Sequence, residues 1–110
     1  MMARLRVYVA GPYTKGDVAL NVKAAIEAGN RLLNAGFAPF VPHLTHFWHM
    51  LCPQPYETWL DLDNQFILCC EALLRLPGES SGAEKEVALA LSLNIPVFYS
   101  EKELVDAIGK

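Results

Sequence analysis

Positive charge is scarce in this chain and never gathered. Nine Lys and Arg are scattered along 110 residues, against twelve Asp and Glu, for a net charge of -3. A protein that tracks phosphates along a duplex or a strand needs a basic patch, so polymeric nucleic acid is excluded as a partner class. Cysteine is sparse too. Three residues, with Cys69 and Cys70 adjacent, make no disulfide framework and suit a reducing compartment. No apolar run approaches the roughly 20 residues of a membrane span. Met1-Met2-Ala3-Arg4 leads straight into a strand pattern without the build of a signal peptide, so the expectation is a cytoplasmic protein with no membrane partner. There is no internal repeat and no low-complexity linker. What the chain has is apolar surface: 53% of residues are hydrophobic and only 19% charged. One domain across residues 1–110 can then bury a core without metal or disulfide staples.

Strand and helix patterns alternate. Leu5 to Ala10 reads as a first strand, stopped by Gly11-Pro12. A helix from Asp17 or Asn21 to Ala35 follows, with Val22, Ile26, Gly29 and Leu33 on its buried face and Gly36 as its stop. Phe37 to Val41 is a second short strand. Pro42 to Tyr56, with three prolines, is a long and partly helical excursion. Glu57 to Cys70 is helical, Ala72 to Leu76 a third strand, Ser81 to Leu93 a helix, Ile95 to Tyr99 a fourth strand and Glu101 to Ile108 a last helix. Strands that are apolar throughout argue for a parallel sheet covered on both faces. The fold expected is a three-layer, flavodoxin-like α/β domain with four to five parallel strands in the order 2-1-3-4(-5), binding its ligand between strands one and three.

Two loops meet at that crevice. The first, Gly11-Pro12-Tyr13-Thr14-Lys15-Gly16-Asp17, matches neither a P-loop nor a dinucleotide fingerprint, and Gly-Pro is also an ordinary turn pair. The second runs from Pro77 into the helix at Ser80-Ser81-Gly82. There Ser81 and Glu84 have capping-box spacing, which leaves Ser80 free to face a phosphate or hydroxyl. On that helix Ala83, Val87, Ala90, Leu91 and Asn94 recur on one face while Lys85 and Ser92 fall opposite. Glu86 does not join the wet side: it projects between Ala83, Ala90 and Leu93. Its bland fate is a carboxylate that reaches solvent or pairs with a lysine. Its functional fate is a nucleophile, ionised near a helix N-terminus and stripped of water. Asp63, with Asp61 near it, is a second acid on the preceding helix.

His43, His46 and His49, with Cys52, invite a metal reading, but H-x2-H-x2-H suits neither one face of an α-helix nor a common zinc pattern, and no metal is expected. Phe47, Trp48, Tyr56 and Trp59 are expected over the crevice or at a subunit contact, with Phe47 and Trp59 in the core. Cys69-Cys70 is expected to be buried at a helix end.

Val9-Ala10-Gly11-Pro12-Tyr13, the Asn21-to-Gly36 helix, Asp63 eight residues before the acid at strand three, and Ser80-Ser81-Gly82-Ala83-x-x-Glu86-x-x-x-Ala90 together resemble the nucleoside 2-deoxyribosyltransferase superfamily, which includes the 2'-deoxynucleoside 5'-phosphate N-hydrolases. The similarity runs from about Val7 to Val97, and its most specific part is the Ser-x-Gly-x-x-x-Glu helix start. The resemblance implies Glu86 as the nucleophile on C1' of a deoxyribose and Asp63 as the acid that contacts the sugar and helps the base leave. It implies Ser80 at the 5' end and Tyr13 near the ligand. It further implies a small deoxynucleoside or deoxynucleotide substrate, no cofactor, and a homodimer or higher homo-oligomer. The rival reading is a flavodoxin-like module that binds a nucleotide without cleaving it.

Overall fold

The computed structural model describes residues 3–109, so the Met1-Met2 start lies outside the described residues. Its elements are β1 (Arg6–Ala10), α1 (Val18–Asn34), β2 (Ala38–Phe40), a 3₁₀ turn (Pro42–Leu44), α2 (Thr45–Leu51), α3 (Tyr56–Ile67), β3 (Ala72–Arg75), α4 (Ser81–Ser92), β4 (Val97–Phe98) and α5 (Glu101–Ile108). The four strands form one parallel sheet in the order β2-β1-β3-β4. Val7 pairs with Ala72 and Ala10 with Arg75 across β1 and β3, and Tyr8 pairs with Phe40 across β1 and β2.

Alternation along β1 and β3 feeds two cores. Val7, Val9, Ala72 and Leu74 point to one face, where Ala28 and Leu32 of α1, Phe37 and Leu104 of α5 cover them. Tyr8, Ala10 and Leu73 point to the other, against Ile67 of α3 and Ala83, Val87 and Ala90 of α4. The result is the expected flavodoxin-like sandwich, helices on both sides of a sheet whose central strands are dry on both faces.

Local signals place the helix ends. Asp17, Ser80 and Ser100 each accept a hydrogen bond from the backbone N–H three residues on, capping α1, α4 and α5. Helix α1 stops at Gly36, whose φ of +98° lets the Gly36 and Phe37 amides turn back to the carbonyls of Leu33 and Leu32. Asn94, at φ +59°, ends α4 the same way through the Asn94 and Ile95 amides.

Several expectations need correction. The cap of α4 is Ser80, one residue earlier than Ser81, because Ser80 is the residue with extended backbone. Glu84 then turns to Arg75 rather than closing a capping box. On α1 the buried positions are Val22, Ala25, Ala28, Gly29 and Leu32, while Ile26 and Leu33 are exposed: the sheet is approached through small residues. Leu91 and Asn94 of the α4 region are exposed as well. The fourth strand is only Val97–Phe98. Helix α3 ends at Ile67, so Cys69 is exposed and Cys70 half-buried. Phe47 lies on the outer side of α2 and is exposed with Trp48, Met50 and Leu51. Trp59 is half-buried. Among the described residues no helix is long and apolar enough to cross a membrane.

Candidate functional site

A cavity of about 470 Å³ opens beyond the carboxyl ends of β1 and β3. This is where the chain order reverses, since the connections leaving β1 and β3 depart in opposite directions along the sheet. Its walls come from the β1–α1 loop, the 3₁₀ turn, α3 and the start of α4. Glu86, Asp63, Gly11, Tyr13, Ser80, Ser81 and Gly82 all line it. Pro12 is not among the lining residues; its carbonyl accepts from His43 Nε2 at 2.8 Å, which makes it a support of the wall. Gly78 sits behind it with φ +115°, where an added Cβ would stand 2.7 Å from Pro12 Cγ. The two loops can meet only because that position has no side chain.

Glu86 belongs to the buried stripe of α4 with Ala83, Val87 and Ala90, and only 6% of it is exposed. The Tyr8 hydroxyl, from the middle of β1, donates to its carboxylate. Burial pushes the Glu86 carboxyl up to about 7, against the opposing pull of the Tyr8 hydrogen bond and the Arg75 charge. Tyr8, buried and facing this acid, has its own pKa raised far above the ordinary value, so it remains a donor. Asp63 projects from α3 with Oδ1 buried and unpartnered. Burial, and then the charge of Glu86, push Asp63 up to about 7 as well. Two carboxyls line one cavity, and both are pushed toward neutrality, so that one can be ionised while the other keeps its proton. One acid can then attack while the other gives a proton.

The excursion after β2 forms the far wall. Tyr13 and His46 Nδ1 lie 2.6 Å apart in a hydrogen bond, and the Trp59 indole donates to His49 Nδ1 at 2.8 Å. Each histidine takes a separate partner; among the described residues no group of three His, Cys, Asp or Glu is arranged to hold a metal ion. His43 is 5% exposed, and burial lowers its pKa, so it stands neutral with Nε2 as the donor to Pro12. Ser80 Oγ accepts from the Ala83 amide at 3.1 Å. Ser81 and Gly82 open the helix, where amide N–H groups lack intrahelical acceptors.

Sequence reasoning missed Tyr8, and weighed His43 only as a metal candidate rather than as the residue that braces Pro12. The signal for Tyr8 was a hydroxyl in the middle of an otherwise aliphatic, buried strand: such a group needs a partner.

A family model matches residues 5–100, described as a domain of unknown function, DUF7768. The chain belongs to the DUF7768 family. No curated protein matches this DUF7768 chain. Among solved structures, it is similar to a 2-deoxyribosyltransferase from the psychrotolerant bacterium Bacillus psychrosaccharolyticus. The TM-score is 0.64 at 18% identity, over 84% of the DUF7768 chain and 69% of the transferase chain. At that identity the likeness establishes a shared fold.

Proposed function

We propose that this chain cleaves the N-glycosidic bond of a 2'-deoxynucleoside or its 5'-monophosphate by double displacement on Glu86. The observation that carries the reading is the pair of carboxyls, Glu86 buried and Asp63 half-buried, both lining one cavity at the switch point of the sheet and both pushed up to about 7 by burial. The cavity volume, about 470 Å³, suits a small organic ligand. The fold shared with a 2-deoxyribosyltransferase supports the same class of chemistry.

In the first step ionised Glu86 bonds to C1' as the C1'–N bond breaks. The electron pair goes to the base nitrogen, which takes the proton of Asp63. An oxocarbenium-like transition state leads to a deoxyribosyl ester. In the second step water attacks C1', Asp63 recovers a proton from it, and the ester bond returns its electrons to Glu86. A second base in place of water gives transfer. Tyr8 steadies the nucleophile by a hydrogen bond made before substrate arrives. Tyr13 and Trp59 offer aromatic surfaces for the base.

The test is incubation with deoxynucleosides and their 5'-monophosphates, with and without a second base, following free base by chromatography and deoxyribosyl mass on acid-quenched protein. Release by the native chain, an adduct on Glu86, and loss of both in Glu86→Ala are expected. Binding without release identifies a nucleotide-holding module instead. Undiminished release in Glu86→Ala removes Glu86 as the nucleophile.

A further inference from the structure

A nucleoside and its 5'-monophosphate differ by a group that carries up to about two negative charges at neutral pH, so the charges around the cavity discriminate between them. Those charges are mostly negative. Among the described residues that line the cavity, Glu79, Asp63 and Glu86 are acids, His43 is neutral and Lys15 alone is cationic. With one of Asp63 and Glu86 keeping its proton, two negative charges still face one positive charge. That positive charge is already answered. Asn21 Nδ2 donates to the Tyr13 and Lys15 carbonyls at 2.9 and 2.8 Å, which pins the β1–α1 loop, and the Lys15 ammonium lies 3.7 Å from Glu79 Oε2. Arg75 gives no help: it does not line the cavity, and its guanidinium is spent on the Leu76 and Gly78 carbonyls and on Glu84.

The start of α4 is the other place where an anion could rest, since its first amides lack intrahelical acceptors. The chain fills that place itself. Glu79 stands one residue before the cap Ser80, which sets a carboxylate of the protein beside the positive end of the helix, and Ser80 Oγ takes the Ala83 amide at 3.1 Å. Along α4, Ser81 precedes Glu86 by about 7.5 Å of helical rise, a span comparable with that from C1' of a deoxyribose to its 5'-phosphate. A phosphate on a sugar held at Glu86 therefore arrives beside Glu79. If the sugar turns the other way, toward the β1–α1 loop, it meets the same Lys15–Glu79 pair.

We infer that the substrate class is the unphosphorylated 2'-deoxynucleoside and that Glu79 is the specificity-determining residue: its carboxylate holds both the anion place at the start of α4 and the lysine beside it, and so turns a 5'-phosphate away. The inference rests on the reading of the cavity as a glycosidic site. Its sign is single-valued. Removing the Glu79 charge deletes a repulsion and frees Lys15, and both changes favour the phosphate.

The experiment compares kcat/KM for base release from a deoxynucleoside and from its 5'-monophosphate in the native chain, Glu79→Gln and Glu79→Lys. The Glu79 side chain is 83% exposed, so both variants are expected to fold. The native chain is expected to favour the nucleoside by about tenfold or more. The monophosphate-to-nucleoside ratio is expected to rise about 3- to 5-fold in Glu79→Gln, the size of an exposed charge effect, and further in Glu79→Lys. Glu27→Gln makes the same change of net charge on α1, where Glu27 pairs with Lys23, and leaves the ratio in place. A native preference for the monophosphate, or a ratio that Glu79→Gln leaves unmoved or lowers, overturns the inference. Base release that favours the monophosphate keeps the glycosidic reading and rejects Glu79 as a filter. Where no base is released, calorimetric titration with the same two compounds takes its place: tighter binding of the nucleoside, by a margin that Glu79→Gln narrows, keeps the filter and rejects the glycosidic reading. A chain that neither cleaves nor binds either compound overturns both.

Discussion

Replacing Glu86 by Gln makes the protein more stable at alkaline pH while removing its proposed chemistry. The carboxyl is pushed from the ordinary 4.5 to about 7 by burial. A folded-state pKa above the unfolded value means that the native chain binds more protons than the unfolded one between those limits, so stability falls as pH rises through them. Below about pH 4.5 the acid is neutral in both states and costs nothing; above pH 7 it is charged in both, and the fold carries the whole penalty of keeping it dry. At about 1.4 kcal/mol per pH unit the penalty is about 3 kcal/mol. Gln keeps the shape and an oxygen for the Tyr8 hydroxyl, but carries no charge. Thermal melts of native chain and Glu86→Gln from pH 4.5 to 8.5 are expected to coincide at the acid end and diverge by on the order of 10 °C at pH 8, the variant melting higher. Equal or lower melting of the variant at pH 8 refutes the account of Glu86 as a dry, destabilising acid.

Tyr8→Phe keeps the stack on Phe40, centroids 5.6 Å apart, and deletes only the donor to Glu86. A hydrogen bond to a charged group is worth about 1.5–3 kcal/mol, so kcat for base release is expected to drop roughly 10- to 100-fold with fold intact by circular dichroism. Asp63→Asn removes the proposed proton donor; kcat for base release is expected to fall about 10²-fold or more, and the decline above pH 7 expected of the native chain disappears from the pH profile. Gly78→Ala places a methyl group 2.7 Å from Pro12 Cγ at a φ of +115°. The variant is expected to lose about 1–3 kcal/mol in urea unfolding, and an unchanged midpoint counts against the contact between the two loops.

The fold was legible because its signals are local. Val7 to Ala10 and Ala72 to Leu74 are a near-continuous apolar run, as strands dry on both faces must be, and Gly36 marks the end of α1 within one turn. Glu86 was legible as a placement because an acid between Ala83 and Ala90 breaks a helical stripe. Phase and boundary were harder. Two adjacent serines can both cap, and backbone angle alone chose Ser80; α1 turned its alanines rather than Ile26 and Leu33 to the sheet because close approach favours small side chains. The three histidines read as a cluster in sequence, yet the fold sends His43 to Pro12, His46 to Tyr13 and His49 to Trp59. Tyr8 meets Glu86 across 78 residues of chain, a separation that no local pattern reports.

Because β1 is flanked by a core on each side, its five residues carry the phase of the whole molecule. Slipping that strand by a single step turns Val7 or Val9 toward α4 and carries the phenol out to the α1 layer, leaving Glu86 facing hydrocarbon. Correct threading of the sheet and assembly of the Tyr8–Glu86 pair are therefore one event, and a misthreaded chain loses the proposed reaction centre along with its stability.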